Sequence, residues 1–267
     1  PTESSTWWDP DGDGFLDVCV HVVAPAGPGL LQSFYHNNRD GTFTKDTTSA
    51  LAQIRKRGIL AGVGDHDNDG DQDLYVGGSA HPGSSEPTCD LYRNDGNGVY
   101  TRLVGEPWTR DLDLTMDCTF VDYDQDGLLD IFVINGHQGL PCLYHQTTAG
   151  RFVKLTAAQV GSILVSPPEG YNAAWVDYDN DGDLDLWFEN SLGSSRLHRN
   201  EGRGSFSLAT PAAFNQTRPG GLGVWADTDN DGFLDLFVGG YGDDGSFTNA
   251  LYRNLNGQDF TNIAVEA

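Results

Sequence analysis

The stretch DYDNDGDLD, residues 177–185, decides the fold of this protein. Its carboxylates Asp177, Asp179, Asp181 and Asp185 fall at positions 1, 3, 5 and 9. Gly182 falls at position 6, where a tight turn needs a residue that tolerates positive φ. Alternate carboxylates on a turning loop, joined by the backbone carbonyl of position 7, converge the oxygen ligands that calcium requires. A single acidic run is usually a solvated loop, so recurrence along the chain must decide between the two interpretations.

The same nine-residue pattern occurs five times. DPDGDGFLD begins at residue 9, DHDNDGDQD at 65, DYDQDGLLD at 122, DYDNDGDLD at 177 and DTDNDGFLD at 227, at steps of 56, 57, 55 and 50 residues. Five complete copies predict five calcium sites rather than chance acidic turns. The predicted ligands are the side chains at positions 1, 3, 5 and 9 and the carbonyl at position 7: Asp9, Asp11, Asp13, Phe15 and Asp17; Asp65, Asp67, Asp69, Asp71 and Asp73; Asp122, Asp124, Asp126, Leu128 and Asp130; Asp177, Asp179, Asp181, Asp183 and Asp185; Asp227, Asp229, Asp231, Phe233 and Asp235.

The residue at position 12 excludes a helical calcium hand. That motif closes with Glu at position 12, whereas these loops have Val20, Val76, Val133, Phe188 and Val238. The segments that follow, such as LDLWFEN, alternate apolar and polar residues as a strand does. Each loop is therefore expected to link two strands.

Each repeat contains four segments of strand character around the loop. A short apolar piece precedes it, an apolar strand follows it, and then come a segment such as LYRND and one such as GVYTRLV. Four short strands in about fifty residues are typical of a β-propeller blade. The sequence predicts an all-β, five-bladed propeller that forms a single domain over residues 1–267, with repeats at about 1–54, 55–111, 112–166, 167–217 and 218–267.

The repeats resemble FG-GAP/VCBS repeats, the calcium-loop blades of integrin α-subunit heads, propeller lectins and many secreted bacterial proteins. The resemblance covers nearly the whole chain. It implies that each loop joins the innermost strand of a blade to the second and that about five calcium ions are structural. The relatives usually have seven blades and this chain has five repeats. Either the five repeats close into a small ring or the chain is part of a larger one. Because the repeats begin and end in the same phase, we expect a closed ring.

The charge of the chain agrees with calcium loops in an extracellular protein. The net charge is −24, and the four ligand carboxylates of five loops make up 20 of the 39 acidic residues, so five calcium ions bring the charge to −14. Such acidity disfavours nucleic acid as a partner. The apolar runs are too short for a membrane span. A first residue of Pro rather than Met indicates that processing or cloning removed a signal peptide, so we expect a secreted or periplasmic protein.

The ligand is expected on the face opposite the loops, where the linkers between repeats emerge. Those linkers contain Arg55, Arg57, Arg110 and Arg218, which favour an anionic group such as a carboxylate or sulfate. Pairing with nearby acids such as Asp111 is the alternative.

Aromatic residues of the linkers and loops are a second set of candidates. Trp108, Tyr171 and Tyr241 either stack on sugar rings or hold their loops in place. The aromatic residues two positions before a loop, Trp7, Phe120, Trp175 and Trp225, are expected to pack between blades.

Catalysis has weaker support. His81 and His137 lie after the second strand and are candidates for an acid or base, but no nucleophile elbow, zinc motif or nucleotide loop accompanies them. His36, His145 and His198 recur in the third strand and are expected to be structural. Cys89 and Cys142 open neighbouring third strands, which suggests either a disulfide or buried thiols.

The interpretation favoured by the sequence is a secreted, calcium-stabilised binding module for carbohydrate, as the lectin relatives suggest. Two alternatives stay open. One is a protein-interaction or adhesion module, as in integrin heads. The other is a lyase or biosynthetic enzyme with its site opposite the loops.

Overall fold

The computed structural model describes eleven stretches of the chain: residues 2–22, 33–54, 61–78, 89–110, 115–136, 139–165, 170–190, 195–209, 211–215, 220–241 and 247–263. The strands in these stretches form five antiparallel sheets of four strands each. Each sheet comes from one repeat, and strands consecutive in the chain are neighbours in the sheet. The four-strand repeat predicted from the sequence is therefore confirmed.

The first three sheets belong to one compact unit, made of Pro1–Asp122, Gly127–His137 and Cys142–Lys154. Sheet 1 contains β1 (Thr2–Trp8), β2 (Asp17–Val22), β3 (Ser33–Asn37) and β4 (Phe43–Lys45). Sheet 2 contains β5 (Ala61–Gly64), β6 (Asp73–Val76), β7 (Asp90–Asn94) and β8 (Tyr100–Arg102). Sheet 3 contains β9 (Thr115–Val121), β10 (Asp130–Asn135), β11 (Cys142–Thr148) and β12 (Arg151–Lys154).

The last two sheets belong to a second unit, made of Tyr123–Asp126, Gln138–Pro141 and Leu155–Ala267. Sheet 4 contains β13 (Gly170–Val176), β14 (Asp185–Asn190), β15 (Arg196–Asn200) and β16 (Phe206–Ala209). Sheet 5 contains β17 (Gly220–Ala226), β18 (Asp235–Tyr241), β19 (Phe247–Asn254) and β20 (Phe260–Asn262). The one α-helix of the described residues, α1 (Ala157–Val160), precedes sheet 4.

The core of each unit lies between neighbouring sheets. Strand β10 is buried at every residue from Asp130 to Asn135. In the first unit Tyr75 of sheet 2 joins one cluster with Ile131 and Val133 of sheet 3. In the second unit Trp187 of sheet 4 joins one with Leu236 of sheet 5. Apolar burial between sheets therefore stabilises each unit.

Within the described stretches, four short 3-10 turns lie in the linkers, and two of them place a large aromatic side chain between neighbouring sheets of one unit. These turns are Leu51–Gln53, Pro107–Arg110, Ser162–Leu164 and Ala212–Asn215. Trp108 meets the rings of Tyr75 and Tyr144 at centroid distances of 5.6 and 5.7 Å. Phe214 meets Tyr252 at 5.0 Å in the same way. The linkers thus contribute to the core between sheets.

The four cysteines are buried thiols outside any disulfide. Of the two alternatives for Cys89 and Cys142, the structure has buried thiols and no disulfide. Within the described residues no helix is long and apolar enough to cross a membrane. The prediction of a single domain stays a prediction.

Candidate metal site in the aspartate loops

Backbone amides fold each loop around its position-1 carboxylate. In the loop at 177, the amides of Asp181 and Gly182 donate to the two oxygens of Asp177 at 3.1 Å each. The same pair of bonds occurs at Asp9, Asp65 and Asp227. The position-5 carboxylate accepts the position-7 amide, as Asp181 does from Asp183 at 3.0 Å. The sequence pattern therefore specifies one turn, repeated along the chain.

Two residues of each loop have left-handed backbone. Gly182 has φ 94° at position 6, as the sequence predicts. Position 4 is also left-handed, with φ 57° at Asn180, and Gly or Asn stands there in four of the five loops. Asn tolerates this conformation better than most residues. Gly or Asn at position 4 is thus a second sequence signal of the turn, beside Gly at position 6.

The turn brings carboxylates together at the distance that a cation requires. Asp65, Asp67 and Asp69 each offer an oxygen within 4.8 Å of the others. One buried oxygen, the Oδ1 of the position-3 residue, has no hydrogen-bond partner in three loops: Asp11, Asp67 and Asp179. A buried carboxylate oxygen without a partner is costly. The hard oxygen donors and these unpartnered atoms fit calcium.

The surroundings of two position-3 carboxylates raise their pKa and so oppose their ionisation. Burial raises the pKa of Asp67, and neighbouring Asp73 and Asp69 raise it further, against the lowering effect of His66. Burial and the neighbouring Asp13 raise the pKa of Asp11. A bound cation would reverse this penalty, because an adjacent positive charge stabilises the carboxylate.

The position-9 carboxylate tethers the loop to the third strand of its own sheet. Asp185 is buried and accepts the Asn200 amide at 2.7 Å and the Tyr178 amide at 3.2 Å, one on each oxygen. Burial raises the pKa of Asp185 to about 7. Because each carboxylate oxygen has two lone pairs, these bonds leave room for a metal. The position-9 ligands therefore stay a prediction, with a second, structural role.

Cationic side chains of the third strand lie against the loop acids. Arg199 places Nε 2.7 Å from Asp179 Oδ2 and Nη2 3.0 Å from Asp181 Oδ2. His36 and His145 contact the position-9 acids Asp17 and Asp130 at 3.2 and 3.0 Å. The Arg199 contacts reduce repulsion among the carboxylates of the loop at 177. Two histidines of the third strand therefore contact the loops.

His198 is the exception among the third-strand histidines. It lies one position before Arg199, is buried, and has Nδ1 2.8 Å from Ser162 Oγ. Burial lowers its pKa to about 4, with a contribution from Arg196. The contact with Ser162 therefore joins the neutral imidazole of His198 to the linker that precedes its own sheet.

An amide side chain at the end of the third strand connects one loop to the loop of the preceding sheet. Asn200 Nδ2 donates to Leu184 O of its own loop at 3.2 Å and to Tyr123 O at 2.9 Å. Asn94, Gln146 and Asn254 make the equivalent pair of bonds. These residues lie in the third segment of their repeats, exemplified by LYRND, and the sequence predicted no role for them. Their recurrence directly after a cationic or His residue was the available signal.

The third loop contains the boundary between the two units. Asp122 and Gly127 belong to the first unit, where the Gly127 amide donates to Asp122 Oδ2 at 3.0 Å. Residues Tyr123–Asp126 belong to the second. The ligands predicted here therefore stay a prediction from the repeat pattern.

The structure corrects one predicted sugar contact. Trp108 is 0% exposed, so its ring cannot stack on a ligand. It is part of the repeat pattern after all: residues 51, 108 and 163 each lie 14 positions before the next loop, and residue 214 lies 13 before. At this position Trp108 fills the space between sheets 2 and 3, where it contacts Tyr75 and Tyr144. Trp108 is therefore a core residue.

The other predicted ligand contacts fall outside what the structure describes. Arg55, Arg57, His81, His137 and Arg218 lie outside the described residues. Arg110, Tyr171 and Tyr241 have a described backbone, while their side chains lie outside the description. These eight residues stay predictions.

The repeats match a known family profile at four places along the chain. The FG-GAP-like repeat profile matches residues 9–76, 65–133, 122–188 and 177–238. This chain belongs to the FG-GAP-like repeat family. Each match runs from the first Asp of one loop to the position-12 residue of the next, so it spans two loops, with the last three strands of one sheet and the first strand of the next between them.

Two solved structures resemble this FG-GAP-like chain in fold. A Bacillus licheniformis rhamnogalacturonan lyase, PL11, has 13% identity and a TM-score of 0.58, over 97% of this chain and 50% of the lyase chain. A Photorhabdus luminescens Tc holotoxin pore has 18% identity and a TM-score of 0.47, over 97% of this chain and 12% of that chain. The chain thus spans half or less of either. No curated protein matches it.

Proposed function

We propose that this protein is a calcium-stabilised binding module with a carbohydrate ligand. The observation that carries the calcium part is the unpartnered, buried Oδ1 atom that recurs at Asp11, Asp67 and Asp179. The same atom is left without a partner in three loops because the turn directs it toward the other carboxylates. Calcium binding would compensate for that desolvation and stabilise the loops.

The calcium ions would act on the scaffold. Asp185 connects its loop to the third strand, and the amides of Asn94, Gln146, Asn200 and Asn254 each connect their own loop to another loop. A cation that orders one loop therefore orders the end of two sheets. The acidic residues are committed to this role, so the ligand is expected elsewhere on the surface.

We also propose that the five sheets close into a ring, as the sequence predicts. Phe237 and Val224 of sheet 5 are 42% and 59% exposed, whereas the equivalent Trp187 of sheet 4 is fully buried and Ala174 packs against the same core. An apolar face that is buried in one repeat and exposed in the next supports a further sheet as its cover. In a closed ring, sheet 1 would provide that cover.

The carbohydrate ligand is proposed from the lectin resemblance and from the predicted basic and aromatic rim. A glycan array with neutral and acidic sugars, probed in calcium and again in chelator, tests it. Calcium-dependent binding to one coherent sugar class is the expected result. Absence of binding by folded, calcium-loaded protein would overturn the carbohydrate ligand and leave calcium as a scaffold ion.

A further inference from the structure

A polar groove lies between sheets 2 and 3 of the first unit. Its volume is about 930 Å³, which is within the usual range for ligand sites of roughly 300–1,000 Å³. Sheet 2 contributes Arg93 and the start of its aspartate loop, the linker contributes Glu106, and sheet 3 contributes Arg151 and Lys154. The groove therefore combines the start of an aspartate loop with residues 105–107 of a linker.

The lining of the groove has more basic than acidic residues, whereas the chain as a whole has more acidic ones. The protein has 15 basic residues and 39 acidic ones, yet Arg93, Arg151 and Lys154 line this one groove against Asp67 and Glu106. Within the described part of the chain, no acidic side chain pairs with the Arg151 guanidinium. Because Arg93 already pairs with Asp95, the attraction of this groove for an anion depends mainly on Arg151.

The walls of the groove are held in place by the sheets. Lys154 Nζ lies 5.8 Å from the centre of the Tyr144 ring, and Arg93 Nε donates to Asp95 Oδ1 at 2.7 Å. Phe152, between Arg151 and Lys154, is 6% exposed and stacks on His66 at 6.1 Å. Cations on a fixed strand lose little conformational freedom when they bind a ligand.

We propose that this groove binds an acidic oligosaccharide, one that carries carboxylate or sulfate groups. The inference rests on the proposed carbohydrate function and names its ligand class and site. Arg151 and Lys154 would bind the anionic groups, with Arg93 as a further donor, because guanidinium and ammonium groups form charge-assisted hydrogen bonds with such oxygens. Glu106 would accept hydrogen bonds from sugar hydroxyls, which an anion-only site does not need.

Calcium in the loop at 65 is expected to strengthen this binding. Asp67 lines both the groove and the loop, so its carboxylate repels an anionic ligand when no cation neutralises it. The effect on affinity comes from charge alone and does not require calcium to touch the sugar.

The test is isothermal titration calorimetry of the whole chain in calcium. The probes are a galacturonic acid tetramer, a heparin-derived sulfated tetrasaccharide, cellotetraose and a poly-glutamate peptide. The variants are Arg151→Ala and Lys154→Ala. Lys45→Ala is the matched control, because Lys45 occupies the same position of sheet 1 and lies 5.9 Å from the Tyr35 ring, outside the groove.

The expected result is binding of at least one acidic tetrasaccharide, weakened about tenfold by each groove variant and unchanged by Lys45→Ala. The two acidic probes distinguish a carboxylate from a sulfate site. Binding of cellotetraose alone, or of acidic sugars equally by all variants, would overturn the groove and leave the carbohydrate function standing. Poly-glutamate binding as strong as that of the sugars would overturn the sugar class. No sugar binding by folded protein would overturn both proposals.

Discussion

At the scale of single residues, the position-3 carboxylate is the part of each loop that a cation would change most. Asp11→Asn removes one buried charge from a crowded loop. In chelator the variant is expected to be about as stable as the parent or up to about 1 kcal/mol more stable, since one repulsion is gone. In calcium it should be less stable and bind one ion fewer.

Urea unfolding with and without calcium measures both arms of this prediction, and a calcium titration counts the ions. Asp40→Asn is the control, because Asp40 caps a turn through Thr42, outside the loops. A loss of stability that is the same in calcium and in chelator would mean that Asp11 has an ordinary structural role.

His198 predicts a pH dependence of its own. Its pKa is about 4 in the folded protein and about 6.5 when unfolded. The unfolded chain therefore binds more protons between these values, so stability is complete above pH 6.5 and falls as the pH drops toward 4, by at most roughly 3 kcal/mol. An NMR titration of the imidazole checks this: it should stay neutral at pH 5. A midpoint near 6.5 would contradict the burial argument.

The residues of the loops were readable from the sequence because their spacing is local. Positions 1, 3, 5, 6 and 9 follow from one turn, and Gly182 has the positive φ that position 6 predicted. The links from Asn200 to Tyr123 and from His198 to Ser162 were not readable. They join residues 77 and 36 positions apart, and only the packing of sheets brings them together.

At the scale of elements, the third-strand amide is expected to stabilise the junction between neighbouring loops. Asn200→Ala would remove the donor to the buried Tyr123 carbonyl and to the partly buried Leu184 carbonyl, which costs about 2–6 kcal/mol at the usual cost of about 1–3 kcal/mol per group. Asn37 is the matched residue of sheet 1, where among the described residues its side chain donates only to the exposed Leu16 carbonyl. Asn37→Ala should cost less than about 1 kcal/mol.

Urea unfolding of the two alanine variants measures this difference. Equal losses for Asn200→Ala and Asn37→Ala would show that the bond to the preceding loop does not stabilise the protein. A loss confined to Asn200→Ala supports the connection between loops.

The linker tryptophan provides a second test at this scale. Trp108→Ala empties a fully buried site and is expected to destabilise the protein by about 3–5 kcal/mol. Val104→Ala, at a site 75% exposed, should cost less than about 1 kcal/mol. Thermal and urea unfolding compare them. A small effect of Trp108→Ala, with loss of sugar binding, would restore the surface role that the sequence suggested.

The strands of each repeat followed from alternation and spacing, whereas the linker was misjudged. Trp108 looked unlike its neighbours because the sister positions hold Leu51, Ile163 and Phe214, which share size and apolarity without a common motif. Only the contacts with Tyr75, Tyr144 and Phe152 reveal the shared role. Several large apolar residue types can fill this position, so no single residue type marks it in the sequence of one protein.

At the scale of the whole molecule, ring closure is the prediction that the terminal repeats can test. If another sheet covers the outer face of sheet 5, Phe237→Asp buries a charge and destabilises the protein by about 2–4 kcal/mol. If that face stays in solvent, the cost is below about 0.5 kcal/mol. Val153→Asp, at an exposed site on the outer strand β12, is the control, and urea unfolding of both variants decides.

Five calcium ions per chain are the central claim of this account. The most direct test is a calcium titration of chelator-treated protein by calorimetry, with the melting temperature followed at each step. We expect about five ions per chain, bound in the 10⁻⁴ to 10⁻³ M range typical of extracellular modules, and a melting temperature that rises as the loops fill. A protein that binds no calcium at millimolar concentration, or that melts at the same temperature in calcium and in chelator, would contradict the claim.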